Sequence, residues 1–306
     1  MVDPSDPNRV LVGGHQGAAV SADGGTTWRP IDGLAGADPM GLVIDPRDRR
    51  LLYAAGHPGF RRSLDGGDTW SDQTGTLPGT DVHGLGMDPR HPDVLYAYVV
   101  GQGILQSADR GAHWAVVNTT QSLMGPILVD PRAGTTLYLT DSQGGFQESV
   151  DGGRTWRQVG SIPNGMAIFW VSQDQNRPQT FYAATGGIWR SDDGGRTWQA
   201  LAGAPSGVTT VAVAPSDPHI LYAAALQGTE AQVFRSADGG STGRRATEGS
   251  TADRAVPHER PPDAVGPGRP SARPWSRPAT RACPWCGATS AGACCSPRTP
   301  PRRIGR

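Results

Sequence analysis

Ser63-Leu64-Asp65-Gly66-Gly67-Asp68-Thr69-Trp70 is one copy of an octet, Ser-x-Asp-x-Gly-x-Thr-Trp, whose recurrence decides the fold. The octet returns as SADGGTTW from Ser21, SADRGAHW from Ser107, SVDGGRTW from Ser149 and SDDGGRTW from Ser191. A sixth copy, SADGGSTG from Ser236, lacks the tryptophan. Successive copies start 42, 44, 42, 42 and 45 residues apart, and a fixed period of this size marks stacked supersecondary units. A second marker keeps the same phase: DPSDPNRVLV from Asp3, DPRDRRLLYAAG from Asp45, DPRHPDVLYAYV from Asp88, DPRAGTTLYLT from Asp130 and APSDPHILYAAA from Ala214. The degenerate SQDQNRPQTFYAAT, from Ser172, fills the remaining place.

Each period reads as four short strands. An apolar run such as Gly41 to Asp45 ends at Asp-Pro, where the fixed proline φ and the accepting carboxylate make a turn. LLYAAG follows, then GFRRS, then the Asp-Gly-Gly turn, and the stretch after Thr-Trp supplies the fourth strand. No segment holds a helical period. Four strands per repeat predict an all-β propeller, in which radial repetition leaves only short, protected sheet edges. Within the octet, Asp23, Asp65, Asp109, Asp151, Asp193 and Asp238 should accept backbone N–H bonds beside glycines with φ > 0. Trp28, Trp70, Trp114, Trp156 and Trp198 should return into the apolar layer as anchors, a structural role for five of the seven tryptophans before residue 243.

These octets resemble the Asp-box, or BNR, repeat of the sialidase-like propeller superfamily, which includes sialidases, sortilin-type receptors, xyloglucan-cleaving endoglucanases and photosystem II assembly factors. The resemblance covers about residues 1–242. It implies four-stranded blades, seven in the usual family member, of which six are detectable here with the first and last partial. It does not imply one function, because the box is a turn device common to enzymes and binding proteins. The segments Asp38-Pro39-Met40-Gly41-Leu42, Gly56-His57-Pro58-Gly59 and Asp81-Val82-His83-Gly84-Leu85 are further similar to a bacterial group of propellers labelled glycosyl hydrolase by fold.

The first unit begins at its Asp-Pro turn, so its inner strand is missing or reduced to Met1 and Val2, and the sixth box stops at Gly243 where tryptophan should stand. A chain incomplete at both ends is expected to close its ring poorly. Residues 243–306 hold 12 Arg and 11 Pro, no Leu, Phe, Tyr or Met, two Val and one Ile, too little apolar surface to offset ordering entropy. A disordered Arg/Pro-rich tail is expected. Because the break falls inside a motif, a shifted reading frame in a GC-rich gene is favoured over a natural tail that binds an acidic partner. The four cysteines, Cys283, Cys286, Cys294 and Cys295, lie there. CPWCG has the spacing of half a zinc site, but the adjacent Cys294-Cys295 pair does not match it, and coincidence is the preferred reading.

Residues 1–242 carry 16 Arg against 24 Asp and Glu, with no Lys anywhere in the chain. That balance, with no basic stripe, excludes nucleic acid as a partner of the propeller. There is no run of about 18 apolar residues and no leader after Met1, so the chain as written is expected to be soluble and cytoplasmic, although related proteins are often exported. A sialidase needs an Arg-Ile-Pro motif, an arginine cluster, a tyrosine–glutamate pair and an aspartic acid, and no Arg-Ile-Pro occurs. Glu148 and Glu230 are the only glutamates before residue 243, and Glu148 is expected to be solvated, since its repeat-mates are Val20, Arg62, Gln106, Arg190 and Arg235. No complete catalytic set can be assembled. A binding or assembly module for a carbohydrate or protein ligand is therefore preferred, with a sialidase-like glycoside hydrolase as the alternative.

Departures from the repeat point to one place. Laying Asp45 on Asp3 puts His57 on His15, and laying Asp88 on Asp45 puts Asp81 on Asp38 and His83 on Met40. The start of strand one and the end of strand two share a face, opposite the box turns. His15, Asp38, His57, Asp81 and His83 should therefore gather on one rim across blades one to three, whereas later blades put Leu123, Met166 and Gly207 at the Asp38 position. Such a cluster can bind a ligand, hold a transition metal at His15, His57 and His83, or act as acid and base. Against that stands the reading that the aspartates cap loop N–H groups and the histidines are solvated. His91, His113 and His219 belong to turns on the opposite face. Trp189 is expected between blades, and Trp170 either in the channel or against the neighbouring sheet.

Overall fold

The computed structural model describes residues 1–119, 123, 125–141, 143–227 and 230–246. Expectations about the remainder of the tail, including its cysteines, lie outside the described residues. Six four-stranded antiparallel sheets follow one another along the chain. Blade two shows the plan, with strands Asp38–Ile44, Leu52–His57, Gly59–Ser63 and Ser71–Asp72. The second strand carries Leu52, Tyr53, Ala54 and Ala55 buried in succession rather than alternately, because neighbouring blades cover both of its faces. Three single-turn 3-10 segments, Asp32–Leu34, Thr74–Thr76 and Pro163–Gly165, bridge from the last strand of one blade to the first of the next.

The end blades have four strands as well. The inner strand of blade one is Val2–Asp3, and the outer strand of blade six is Arg244–Arg245, paired with Phe234 and Arg235. The expected poor closure is corrected at the seam between them. Val2 and Val10 pack with Ala214, Ile220 and Tyr222, and Trp28 covers the cluster. Tyr222 Oη donates to the Pro7 carbonyl at 2.9 Å, just as Tyr96 Oη in blade three reaches the Gly134 carbonyl of blade four at 3.4 Å. The same tyrosine position thus ties an internal seam and the closing one.

Each box is a self-contained knot of hydrogen bonds. In blade two, Ser63 Oγ donates to Asp65 Oδ1 and accepts from Gly67 N, both at 2.8 Å, while Thr69 N and Oγ1 donate to the same carboxylate. Gly66 and Gly67 have φ of 85° and 95°, where a side chain would be strained. Trp70 Nε1 donates to the Gly67 carbonyl at 3.0 Å, and the indole lies on Leu11, Ile31 and Leu34 of blade one. The box tryptophan is therefore an anchor to the preceding blade. Trp114 meets Phe60 edge-on at 5.6 Å, and Trp198 meets Phe146 at 5.5 Å. Blade six has Gly243 in that slot, and a small void of ≈ 20 Å³ lined by Ile188, Ala204, Leu221 and Gly243 lies beside it.

The six inner strands surround a channel of ≈ 350 Å³ lined by apolar side chains including Leu42, Met87, Leu128, Trp170 and Ala212. Trp170 occupies both of the positions open to it, lining the channel and packing on the cluster between blades five and six. Trp189 packs among the residues between blades four and five. Among the described residues no helix is long and apolar enough to cross a membrane, a statement that does not bear on β-barrels.

Candidate functional site

The site grows from one feature of antiparallel pairing: the first residue of an inner strand sits opposite the last residue of the next. Asp38 opens the strand Asp38–Ile44 and pairs in register with His57, which closes Leu52–His57. His15 lies in the short turn between Asp6–Gly14 and Gly17–Ser21, Asp81 directly precedes Val82–Met87, and His83 is its second residue. These are the ends of strands on the face opposite the boxes. In blade four the equivalent pair is Leu123 with Asp141, and the Asp141 carboxylate is taken up by Gln143 N, Gly145 N and Gln147 Nε2 of its own turn.

Side-chain contacts link the five residues into one alternating row. His15 Nδ1 lies 2.9 Å from Asp38 Oδ2, which also lies 3.4 Å from His57 Nδ1. Across the imidazole, His57 Nε2 is 2.6 Å from Asp81 Oδ1, and that oxygen is 2.7 Å from His83 Nε2. The rings of His57 and His83 meet edge to face, with centroids 5.4 Å apart. Asp38 and His83 are largely covered, with side chains 19% exposed, whereas His15 at 64% and His57 and Asp81 at 46% stand open to solvent.

His57 is the hinge of this row, since both its ring nitrogens face carboxylates. An imidazole that donates from both nitrogens is an imidazolium. Partial burial opposes that charge, but the hydrogen bonds to Asp81 and Asp38 and the two negative charges outweigh it, and the His57 pKa is raised. A group of donors also emerges that differs from the trio expected from sequence. The ligand atoms of His57, Asp81 and His83 lie within 4.8 Å of one another, with His15 on the far side of Asp38.

The remaining histidines with described positions serve turns. His91 Nδ1 is 3.2 Å from Asp88, His113 takes the threonine slot of its box with Nδ1 2.6 Å from Asp109, and the His219 amide donates to Asp217. Glu148 corrects an expectation: it is not solvated, its side chain being only 13% exposed and paired with Arg157. It faces Tyr138 across the strand pair beside the box. Burial followed by the Glu148 charge pushes the Tyr138 pKa up to about 12. Sequence reasoning missed a second character of the rim. Met166, Phe169 and Leu226, at strand ends of blades five and six, are exposed apolar side chains on the face that carries the histidines. Single exposed apolar residues in strand-end turns leave no periodic signal.

Comparison with known proteins gives the same architecture. The BNR/Asp-box repeat family matches residues 189–200, which contain the fifth box. Among solved structures, the GH74 xyloglucanase from Xanthomonas campestris is similar, with 20% identity, a TM-score of 0.59 and coverage of 80% of this chain and 44% of that one. The GH74 enzyme from Niastella koreensis has 18% identity, a TM-score of 0.59 and the same coverage. YCF48 from Cyanidioschyzon merolae has 22% identity and a TM-score of 0.49, over 80% of this chain and 83% of its own. The chain thus spans less than half the length of the GH74 enzymes it matches, and likeness at this identity is likeness of fold. No curated protein matches the sequence. The repeated boxes and the six radial sheets make the chain a six-bladed β-propeller that carries Asp-box repeats, with the repeat-family match confined to residues 189–200.

Proposed function

We propose that this propeller is a ligand-binding module whose binding surface is the His/Asp rim of blades one to three. The observation that carries the reading is the row His15–Asp38–His57–Asp81–His83, in which five polar side chains from three blades hold one another rather than a turn of the repeat. Polar side chains on strand ends of a rigid scaffold are where binding is usually mounted. Exposed carboxylate and imidazole edges suit the hydroxyls of a carbohydrate or the amides of a peptide.

Glycoside hydrolysis is the second reading, and one observation favours it. Asp38 and Asp81 flank a single imidazole, a spacing of the order used in inverting hydrolysis, about 6.5–9.5 Å. The same imidazole weighs against it, because His57 fills the gap where a water and the glycosidic bond would have to stand. Isothermal titration with xyloglucan oligosaccharides and with a peptide library, run beside an aryl-glycoside and sialoside turnover assay, separates the two. Saturable binding without turnover, lost in Asp38→Ala, is expected. Turnover abolished by Asp38→Asn or Asp81→Asn would replace the binding reading with the hydrolase, and no binding together with no turnover would overturn both.

A further inference from the structure

Two imidazole nitrogens, His57 Nε2 and His83 Nε2, are aimed at one oxygen, Asp81 Oδ1, from 2.6 and 2.7 Å. The three donor atoms, of N, N, O type, lie within 4.8 Å of one another, close enough to share one ion. A tetrahedral ion held at about 2.0–2.2 Å from each would set the donors about 3.3–3.6 Å apart, so both contacts to Asp81 Oδ1 would open by somewhat under an ångström as the ion enters. The far side of His57 has the partner that a ligating imidazole requires: Nδ1 faces the Asp38 carboxylate at 3.4 Å, so an ion that displaces the Nε2 proton leaves the Nδ1–H donating there. Asp38 is in turn positioned by His15 at 2.9 Å. On the solvent side, the 46% exposure of His57 and Asp81 leaves a fourth corner open.

We propose that His57, Asp81 and His83 bind one divalent transition ion of the zinc class, with Asp38 as the outer carboxylate that orients His57. Two imidazoles and one carboxylate suit such ions, whereas calcium and magnesium take predominantly oxygen donors. Three protein ligands leave the fourth position to water or to an oxygen of an incoming molecule, which deepens, and rests on, the reading of this rim as the binding surface. Such an oxygen belongs to a carboxylate, a phosphate or a vicinal diol.

The test uses the full-length chain stripped with EDTA and titrated with Zn²⁺ by calorimetry and with Co²⁺ by visible absorption. One equivalent should bind with the spectrum of four-coordinate cobalt and without the intense sulfur-to-metal band that the tail cysteines would give. His57→Ala and His83→Ala should each weaken binding at least 100-fold, Asp38→Asn should weaken it about 10–100-fold, and His113→Ala should leave it unchanged. Thermal melting establishes that the variants remain folded. Absence of saturable binding, binding that persists in both histidine variants, or a cobalt spectrum dominated by sulfur would overturn the proposal. Titrating the oligosaccharides and peptides with and without Zn²⁺ keeps this outcome apart from the fate of the binding reading. Equal ligand affinity in both states with no metal bound removes the ion alone, while metal uptake without any ligand removes the binding surface alone.

Discussion

The two faces of this ring are built from the same strands and teach opposite lessons. On the box face the third-position carboxylates are spent locally: Asp23, Asp65, Asp109, Asp151, Asp193 and Asp238 each bind the serine two residues before and the residue four ahead. On the rim, Asp38 and Asp81 reach instead to histidines 19 to 24 residues away, with Asp81 also meeting the nearby His83. Local bonds survive repetition unchanged, because each repeat brings its own partners. A long-range row such as this one needs three consecutive blades to supply matching residues. The first kind makes the fold and the second makes a site.

Acid should break the box face most broadly. Hydrogen bonds from the threonine hydroxyls and amides, with histidine in the threonine slot at Asp109, hold Asp23, Asp65, Asp109, Asp151 and Asp238 down to about 2. Asp193 reaches the same value although burial opposes it. A carboxylate whose folded pKa is depressed stabilises fully above its unfolded value of about 3.9 and loses that contribution as pH falls through its folded pKa. Urea midpoints should therefore fall steeply from about pH 4 toward pH 2, and Asp65→Asn together with Asp151→Asn should flatten the slope.

Next in size comes Trp198, 5% exposed and set against Phe146. Trp198→Ala should cost about 3–5 kcal/mol by chemical denaturation, and the half-buried Trp70 should cost less. Ser191→Ala strands the buried Gly195 amide, which donates to Ser191 Oγ at 2.9 Å, and should cost about 1–3 kcal/mol. Filling the glycine at the missing anchor goes the other way. A Cβ on Gly243 meets nothing closer than 3.7 Å, so Gly243→Ala should raise stability by about 0.4–1 kcal/mol by narrowing the unfolded ensemble. His57→Ala sits at the far end of the scale, within about 0.5 kcal/mol of the parent, as expected for an open side chain outside the packed seams. A large loss there would erase the contrast between the faces.

The fold was legible because its determinants are local. An octet that carries its own hydrogen-bond partners reads the same in sequence as in space, and Asp-Pro and Asp-Gly-Gly mark strand ends on the box face of most blades. The meeting of His57 with Asp38 and Asp81 also followed from register alone, since equal offsets from the Asp-Pro turns put them on one rim. Which three donors converge was not readable. The sequence grouped three histidines, whereas the structure puts Asp38 between His15 and His57 and lets Asp81 bridge His57 to His83. Glu148 was misread for a related reason: variability among repeat-mates reports what the repeat demands, and it does not report that Arg157 on the next strand covers the carboxylate.

The bond that shuts the ring has a kinetic meaning. Tyr222 and Pro7 are 215 residues apart, whereas Tyr96 and Gly134, joined in the same way, are separated by 38. Closing the longer loop costs about 1.5 kcal/mol more in chain entropy, and contacts of such separation form late. Blades one to three, which hold everything from His15 to His83, need only neighbouring contacts to assemble, so the rim site should not depend on closure of the circle.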